Sequence, residues 1–341
     1  MSQADISPAG LDTLPDDRAR AAVQWAATRM DAPVNAVATA SADASFRRYF
    51  RVHTAAESRI VMDAPPAQED STPFLQVAEL MRQAGLRVPV IYAADLAQGF
   101  LLLSDLGTRT FLDVMTLDNA EDYFARAQSA LLSWQQATRR GALPAYSRVL
   151  LARELALFGE WYLGRHLQVR LDAEEAEALQ QVEHALVERA LAQGQVFVHR
   201  DFMPRNLMDT DDEVAGVLDF QDAVVGPVSY DVISLYRDAF ASWPEETVQD
   251  GLTRYYEAAC HMALPVPSTR EAFITDCDWM GLQRHLKVLG IFARLTLRDG
   301  KPKYLADTPR FVRYVMAVAP AYPELVPLAR IVERHVLPRM P

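Results

Sequence analysis

Lysine is nearly missing from this chain of 341 residues: Lys287, Lys301 and Lys303 are the only ones. No G-x-x-x-x-G-K-[ST] phosphate loop occurs, and the first strand pair carries no G-x-G-x-x-G either, which excludes the two commonest glycine-rich phosphate cradles. Basic residues are outnumbered overall, 34 against 45 acidic ones (34 − 45 = −11), which argues against nucleic-acid partners and against a polybasic membrane anchor. Two cysteines, Cys260 and Cys277, cannot staple a chain of this size, and with His261 they lack a fourth ligand at zinc spacing. No run approaches the roughly 18 apolar residues of a membrane span. The opening MSQADISPAG has neither the positive nor the apolar region of a secretory signal, so a soluble, cytoplasmic protein is expected.

What the chain does have is an ordered change of pattern. A short helix over Leu14–Met30 precedes strand candidates Val34–Thr39, Arg48–Thr54 and Arg59–Asp63, separated by the turn-like SADASF and AAES. Residues 73–84 resume a helical period with Phe74, Val77, Leu80 and Met81 on one face, and VPVIYA and GFLLL read as two more buried strands. After SDLGTR the pattern is overwhelmingly helical, interrupted by QVFVH and VAGVLDF, two brief strands on either side of a loop. The expected architecture is α+β and two-lobed. A small five-stranded lobe, residues 1–103, would precede a larger, mainly helical lobe, residues 104–341, with a cleft between them near 103–106.

The loop carries the chemistry. His199, Arg200, Asp201 and Asn206 give H-R-D-x-x-x-x-N, in a chain whose only asparagines are Asn35, Asn119 and Asn206. An aspartate at that position can orient a hydroxyl and accept its proton, while the asparagine offers a hard oxygen to magnesium. Chance would produce this spacing roughly once in a thousand such chains or less, so the motif is informative. Asp219, at the end of GVLDF, supplies a second oxygen ligand of the kind magnesium takes. His199 reads as a brace for the loop, and Asp231 in GPVSYD as an acceptor for its donors.

These features resemble the kinase-like phosphotransferase superfamily and its aminoglycoside-phosphotransferase-like branch, over nearly the whole chain. The resemblance implies ATP and Mg2+ between the lobes, Asp201 as the catalytic base, and Asn206 and Asp219 as the metal-binding positions. ASFRRYFRV, RIVMDAPP, LLLSDLGTRTF, VHRDFMPRNLM, GVLDFQDAVVGPVSYD and GLQRHLKVLGIFARL are closer still to the bacterial anomeric sugar kinases of cell-wall recycling. Those enzymes phosphorylate N-acetylmuramate and N-acetylglucosamine at C1, which implies a small-molecule amino-sugar substrate and a route toward UDP-N-acetylmuramate.

The chain departs from the pattern in the small lobe. Met62 stands at or near the third-strand position where kinase-like sheets carry a lysine. Arg47 and Arg48 are candidates to bind the phosphates instead, with Arg47 and Arg51 on the strand face opposite Arg48, and Ser45 offers a hydroxyl or backbone donor in the first turn. For the sugar, Arg284 and Lys287 lie three residues apart on a helix and could share a polar pocket wall facing a lactyl carboxylate. Trp279 could offer its ring to the sugar, and Arg205 could balance charge beside the loop. Two rival readings use the same machinery: a kinase of another small alcohol, such as an aminoglycoside or homoserine-like substrate, or a nucleotide-binding regulatory protein without catalysis.

Overall fold

The Asp16 carboxylate accepts a hydrogen bond from the Ala19 amide at 2.8 Å and starts helix α1, Asp17–Ala27. Ala19, Ala22, Val23, Trp25 and Ala26 form its buried face, the stripe a surface helix needs in order to pack on a sheet. We describe a computed structural model, whose described residues are 14–41, 46–210 and 212–340. It divides into two compact units, residues 1–109 with 208–222, and residues 110–207 with 223–341.

In the first unit, strands β1 (Ala36–Ser41), β2 (Arg48–His53) and β3 (Ser58–Asp63) precede helix α2 (Thr72–Gln83). Strands β4 (Ile91–Asp95) and β5 (Phe100–Ser104) follow it. They form one antiparallel sheet in the order β1-β2-β3-β5-β4. Strand alternation sends Phe50, Val52, Val61, Phe100 and Leu102 into a core with α1, where Trp25 meets Phe100 at 5.9 Å. Met62 takes the other face and is fully buried. All five strands expected from the sequence are present, each within three residues of its expected ends.

The second unit begins with the one-turn α3 (Phe111–Val114), capped by a reciprocal Thr110–Asp113 box, and α4 (Ala120–Gln136). Helix α5 (Arg148–Leu157) runs directly into a π-helical stretch, Phe158–His166. Then come α6 (Ala173–Ala192) and β6 (Gln195–Val198). Short strands β7 (Leu207–Met208) and β8 (Gly216–Val217) lie where the chain passes into the first unit, and β9 (Val224–Pro227) lies where it returns. The remaining helices are α7 (Tyr230–Tyr236), α8 (Glu245–His261), α9 (Arg270–Leu297), α10 (Thr308–Val318) and α11 (Val326–Ile331).

Helix α9 is the axis of this unit and is buried almost all round from Trp279 to Gly290. At Gly290 a β-carbon would stand 2.4 Å from the backbone carbon of Leu157, so only glycine lets α9 approach the end of α5 this closely. Two details differ from the sequence expectation. β6 pairs with β9, Val198 opposite Val224, whereas the VAGVLDF segment contributes only β8. The helical pattern beyond VAGVLDF resumes only with α7 at Tyr230, because VVGP is first drawn into the β6 ladder. Among the described residues, no helix is long and apolar enough to cross a membrane.

Candidate active site

Strand β6 ends at Val198, and the next eight residues form a loop whose backbone is held from several sides. Asp231, in the first turn of α7 and fully buried, accepts the His199 amide at 2.6 Å on one carboxylate oxygen and the Arg200 amide at 3.0 Å on the other. Burial pushes its carboxyl up to about 7, against the pull of those two amides. His199 is also fully buried, and its Nδ1 accepts the Asp201 amide at 3.2 Å, which puts the neutral ring's proton on Nε2. The Asn206 side-chain amide donates to the Asp201 carbonyl at 2.9 Å, and its backbone amide donates to Met203 at 2.9 Å, closing the turn.

These bonds fix the Asp201 backbone without using its carboxylate. Among the described residues, no hydrogen bond or ion pair engages that carboxylate, and the residue is half-buried. Arg200, the residue before it, has φ +77°, a conformation that costs a non-glycine residue about 1–3 kcal/mol and persists only when its surroundings impose it.

Arg200 is tied to a buried charge cluster that no motif announced. Its Nη2 meets Glu154 Oε1 at 2.5 Å, and Lys287 Nζ reaches the same carboxylate at 3.1 Å. Tyr146 donates its hydroxyl to Glu154 Oε2, with Gln283 Nε2 at 3.4 Å. Burial acts to raise the Glu154 carboxyl, but the Lys287 and Arg200 charges outweigh it and hold it below the ordinary range. The only hint in the sequence is a glutamate three residues after Leu151 and beside Leu155, on the buried side of α5.

The other expected site residues are placed as follows. Asp219, in the first unit, has φ +61° and accepts Gln221 Nε2 at 2.9 Å on Oδ1; the following Phe220 is buried against Phe74 of α2, ring centroids 4.8 Å apart. Arg48 lies on the sheet face covered by α1, where it bonds Asp16 and, at 3.0 Å, the fully buried Asp63, which also pairs with Arg18 at 2.8 Å. Arg47 turns instead to Glu69, 2.9 Å away, and Glu69 also accepts the Phe46 amide at 3.4 Å. Arg51 makes a bidentate pair with Asp105, 2.6 and 3.0 Å, and so ties β2 to the segment after β5. Ser45 lies outside the described residues.

On α9, helical spacing brings Arg284 and Lys287 to the same buried side, but both are enclosed by protein and do not line an open wall. Arg284 donates to the Arg237 carbonyl at 3.2 Å and approaches Met203 sulfur at 3.9 Å, while Lys287 pairs with Glu154 and lies 3.1 Å from the Tyr230 hydroxyl. Trp279 is buried edge-on to Tyr322 and beneath Arg189. The Arg205 guanidinium sits 4.7 Å from the Phe240 ring centre.

As to metal chemistry, Asn206 donates its side-chain nitrogen to the Asp201 carbonyl, and Asp219 carries a carboxylate. An amide oxygen and a carboxylate are each hard donors of the kind magnesium takes.

A five-stranded antiparallel sheet unit joined to a helical unit, with the H-R-D-x-x-x-x-N loop on the latter, defines a kinase-like phosphotransferase. The chain belongs to the phosphotransferase enzyme family, whose model matches residues 36–270. It is 53% identical over 292 residues to the N-acetylmuramate/N-acetylglucosamine kinase of Pseudomonas aeruginosa, covering 86% of each chain. To the Neisseria meningitidis serogroup B protein of the same name it is 46% identical, covering 85% of this chain and 87% of the other. Among solved structures, aminoglycoside phosphotransferase APH(2'')-Ib is similar at TM-score 0.57 and 14% identity, with 88% of this chain and 98% of that one covered. Choline kinase LicA from Streptococcus pneumoniae is similar at TM-score 0.58 and 14% identity, with 83% and 94% covered. At such identities, these two resemblances bear on the fold alone.

Proposed function

We propose that the protein is an ATP-dependent sugar kinase that phosphorylates the anomeric C1 hydroxyl of N-acetylmuramate and N-acetylglucosamine. The products would be the sugar 1-phosphate and ADP, feeding cell-wall recycling toward UDP-N-acetylmuramate in the cytoplasm, where ATP is supplied. The observation that carries this reading is the Asp201 carboxylate, held by its backbone and engaged by no hydrogen bond or ion pair among the described residues, in a chain about half identical to proteins named for these two sugars.

In the reaction, the C1 oxygen attacks the terminal phosphorus of ATP, the bond from that phosphorus to the ADP oxygen breaks, and Asp201 takes the hydroxyl proton. A hemiacetal hydroxyl is more acidic than a simple alcohol, so partial proton acceptance by Asp201 suffices. Asn206 and Asp219 would hold magnesium, which when bound with the nucleotide neutralises phosphate charge. With no lysine in the first unit, Arg47 supplies the cation facing phosphate, supported by Glu69, and Ser45 is the candidate for a further donor. Arg48 is committed to Asp16 and Asp63 and serves the sheet. Arg284 and Lys287 act from behind the loop as its supports, and Arg205 balances charge beside it.

The test is a magnesium-dependent ATP assay against both amino sugars, simple hexoses, aminoglycosides and homoserine, with phosphorus NMR locating the added phosphate. Transfer to C1 of the amino sugars, abolished by methylating that hydroxyl, is the expected result. Transfer to the methyl glycoside, or only to an aminoglycoside or homoserine, would reject it.

A further inference from the structure

We propose that Glu154, a residue of helix α5 outside every motif, is a positioning residue for phosphoryl transfer, holding Arg200 so that Asp201 presents its carboxylate. This rests on the kinase reading above. Arg200 is gripped at both ends: its amide goes to Asp231 at 3.0 Å, and its guanidinium to Glu154 at 2.5 Å, above the ring of Tyr146. Its left-handed backbone, φ +77°, is the unfavourable link that sets the direction in which the chain enters Asp201. Removing the Glu154 carboxylate takes away a buried, charged partner that holds the guanidinium and so opposes relaxation of that link toward an ordinary conformation.

The charges explain why the partner is a carboxylate. Arg200 and Lys287 bring two positive charges to the one Glu154 carboxylate, so a neutral partner there would leave two buried cations facing each other. Glu154 is 5% exposed and Lys287 6%, so water screens neither. Tyr146, Gln283 and Lys287 occupy the other positions around the Glu154 carboxylate and keep it aimed at Arg200. None of these groups touches the Asp201 carboxylate, so the network orients the base without competing for its proton.

The experiment compares wild type, E154Q, and the double variant E154Q/K287M, which removes one buried charge of each sign. E154Q should lower kcat about 100-fold with KM for MgATP within about twofold, the signature of a misplaced reacting group. Hydrogen exchange at the amides of residues 199–201 should rise at least about tenfold over that of α9. The double variant, with its charge balance restored, should recover the thermal midpoint of the wild type but keep the low kcat and the fast loop exchange. If it regains kcat, or if its loop exchange equals that of the wild type, Glu154 merely offsets Lys287 and the proposal is overturned. Should the wild type phosphorylate neither amino sugar, the substrate reading fails, and loop exchange in the double variant still decides the role of Glu154. If E154Q does not fold, the double variant carries the same test.

Discussion

Arg47 and Arg48 are adjacent in sequence and face different partners. Arg48 bonds across the strand pair to Asp63 and outward to Asp16 at the start of α1, whereas Arg47 meets Glu69 ahead of α2. This difference separates binding from stability. R47A should lower kcat/KM for ATP by roughly 10- to 100-fold, the equivalent of losing a charged hydrogen bond worth about 1.5–3 kcal/mol, as measured by initial-rate kinetics. R48A should leave KM for ATP unchanged and lower unfolding stability by about 1–3 kcal/mol in a urea titration, since Arg18 still holds the buried Asp63. At this scale the loop was legible: the spacing of His199, Asp201 and Asn206 marked it, and Asp231 in GPVSYD was read as the acceptor that its amides find. Glu154 and Glu69 were not, because a single glutamate in an amphipathic helix or a loop carries no periodic or motif signal until its partner is in view.

Strand and helix existence followed from hydrophobic period, and all five strands of the first sheet could be read from alternation and turn residues. The β6–β9 ladder could not, because VVGP borders a helix and its partner lies 26 or more residues earlier, a pairing that local pattern does not encode. Two elements invite measurement. Gly290→Ala would set a methyl against the Leu157 backbone and should cost about 1–3 kcal/mol or more, read as a fall in thermal midpoint. The bidentate Arg51–Asp105 pair is the pH-sensitive tie of the first unit. Burial acts to raise the Asp105 carboxyl, but Arg51 and Ser58 outweigh it, so its folded value lies below the ordinary 3.8. Its stabilisation is therefore fully present above pH 3.8 and is lost as pH falls through the lower folded value. D105N should accordingly be less stable than wild type at neutral pH and lose less on acidification, as followed by circular dichroism.

For the molecule as a whole, the account divides binding from chemistry. If Asp219 holds magnesium with the nucleotide, as proposed, D219N should lose the thermal stabilisation that MgATP gives the wild type, about 2.7 kcal/mol at a hundredfold excess over Kd, whereas D201N should keep it. The family and the two-unit architecture were legible from the order of elements and one loop. The amino-sugar substrate class was read from resemblance, but its contact residues were not legible, because those singled out on α9 are buried with partners of their own. The most direct test of the central claim is therefore phosphoryl transfer to N-acetylmuramate by D201N under saturating MgATP, compared with wild type. The account predicts a loss of at least about a hundredfold in kcat with MgATP binding preserved. Turnover by D201N within a few-fold of wild type would contradict it, since Asp201 would then not be the group that receives the sugar's proton.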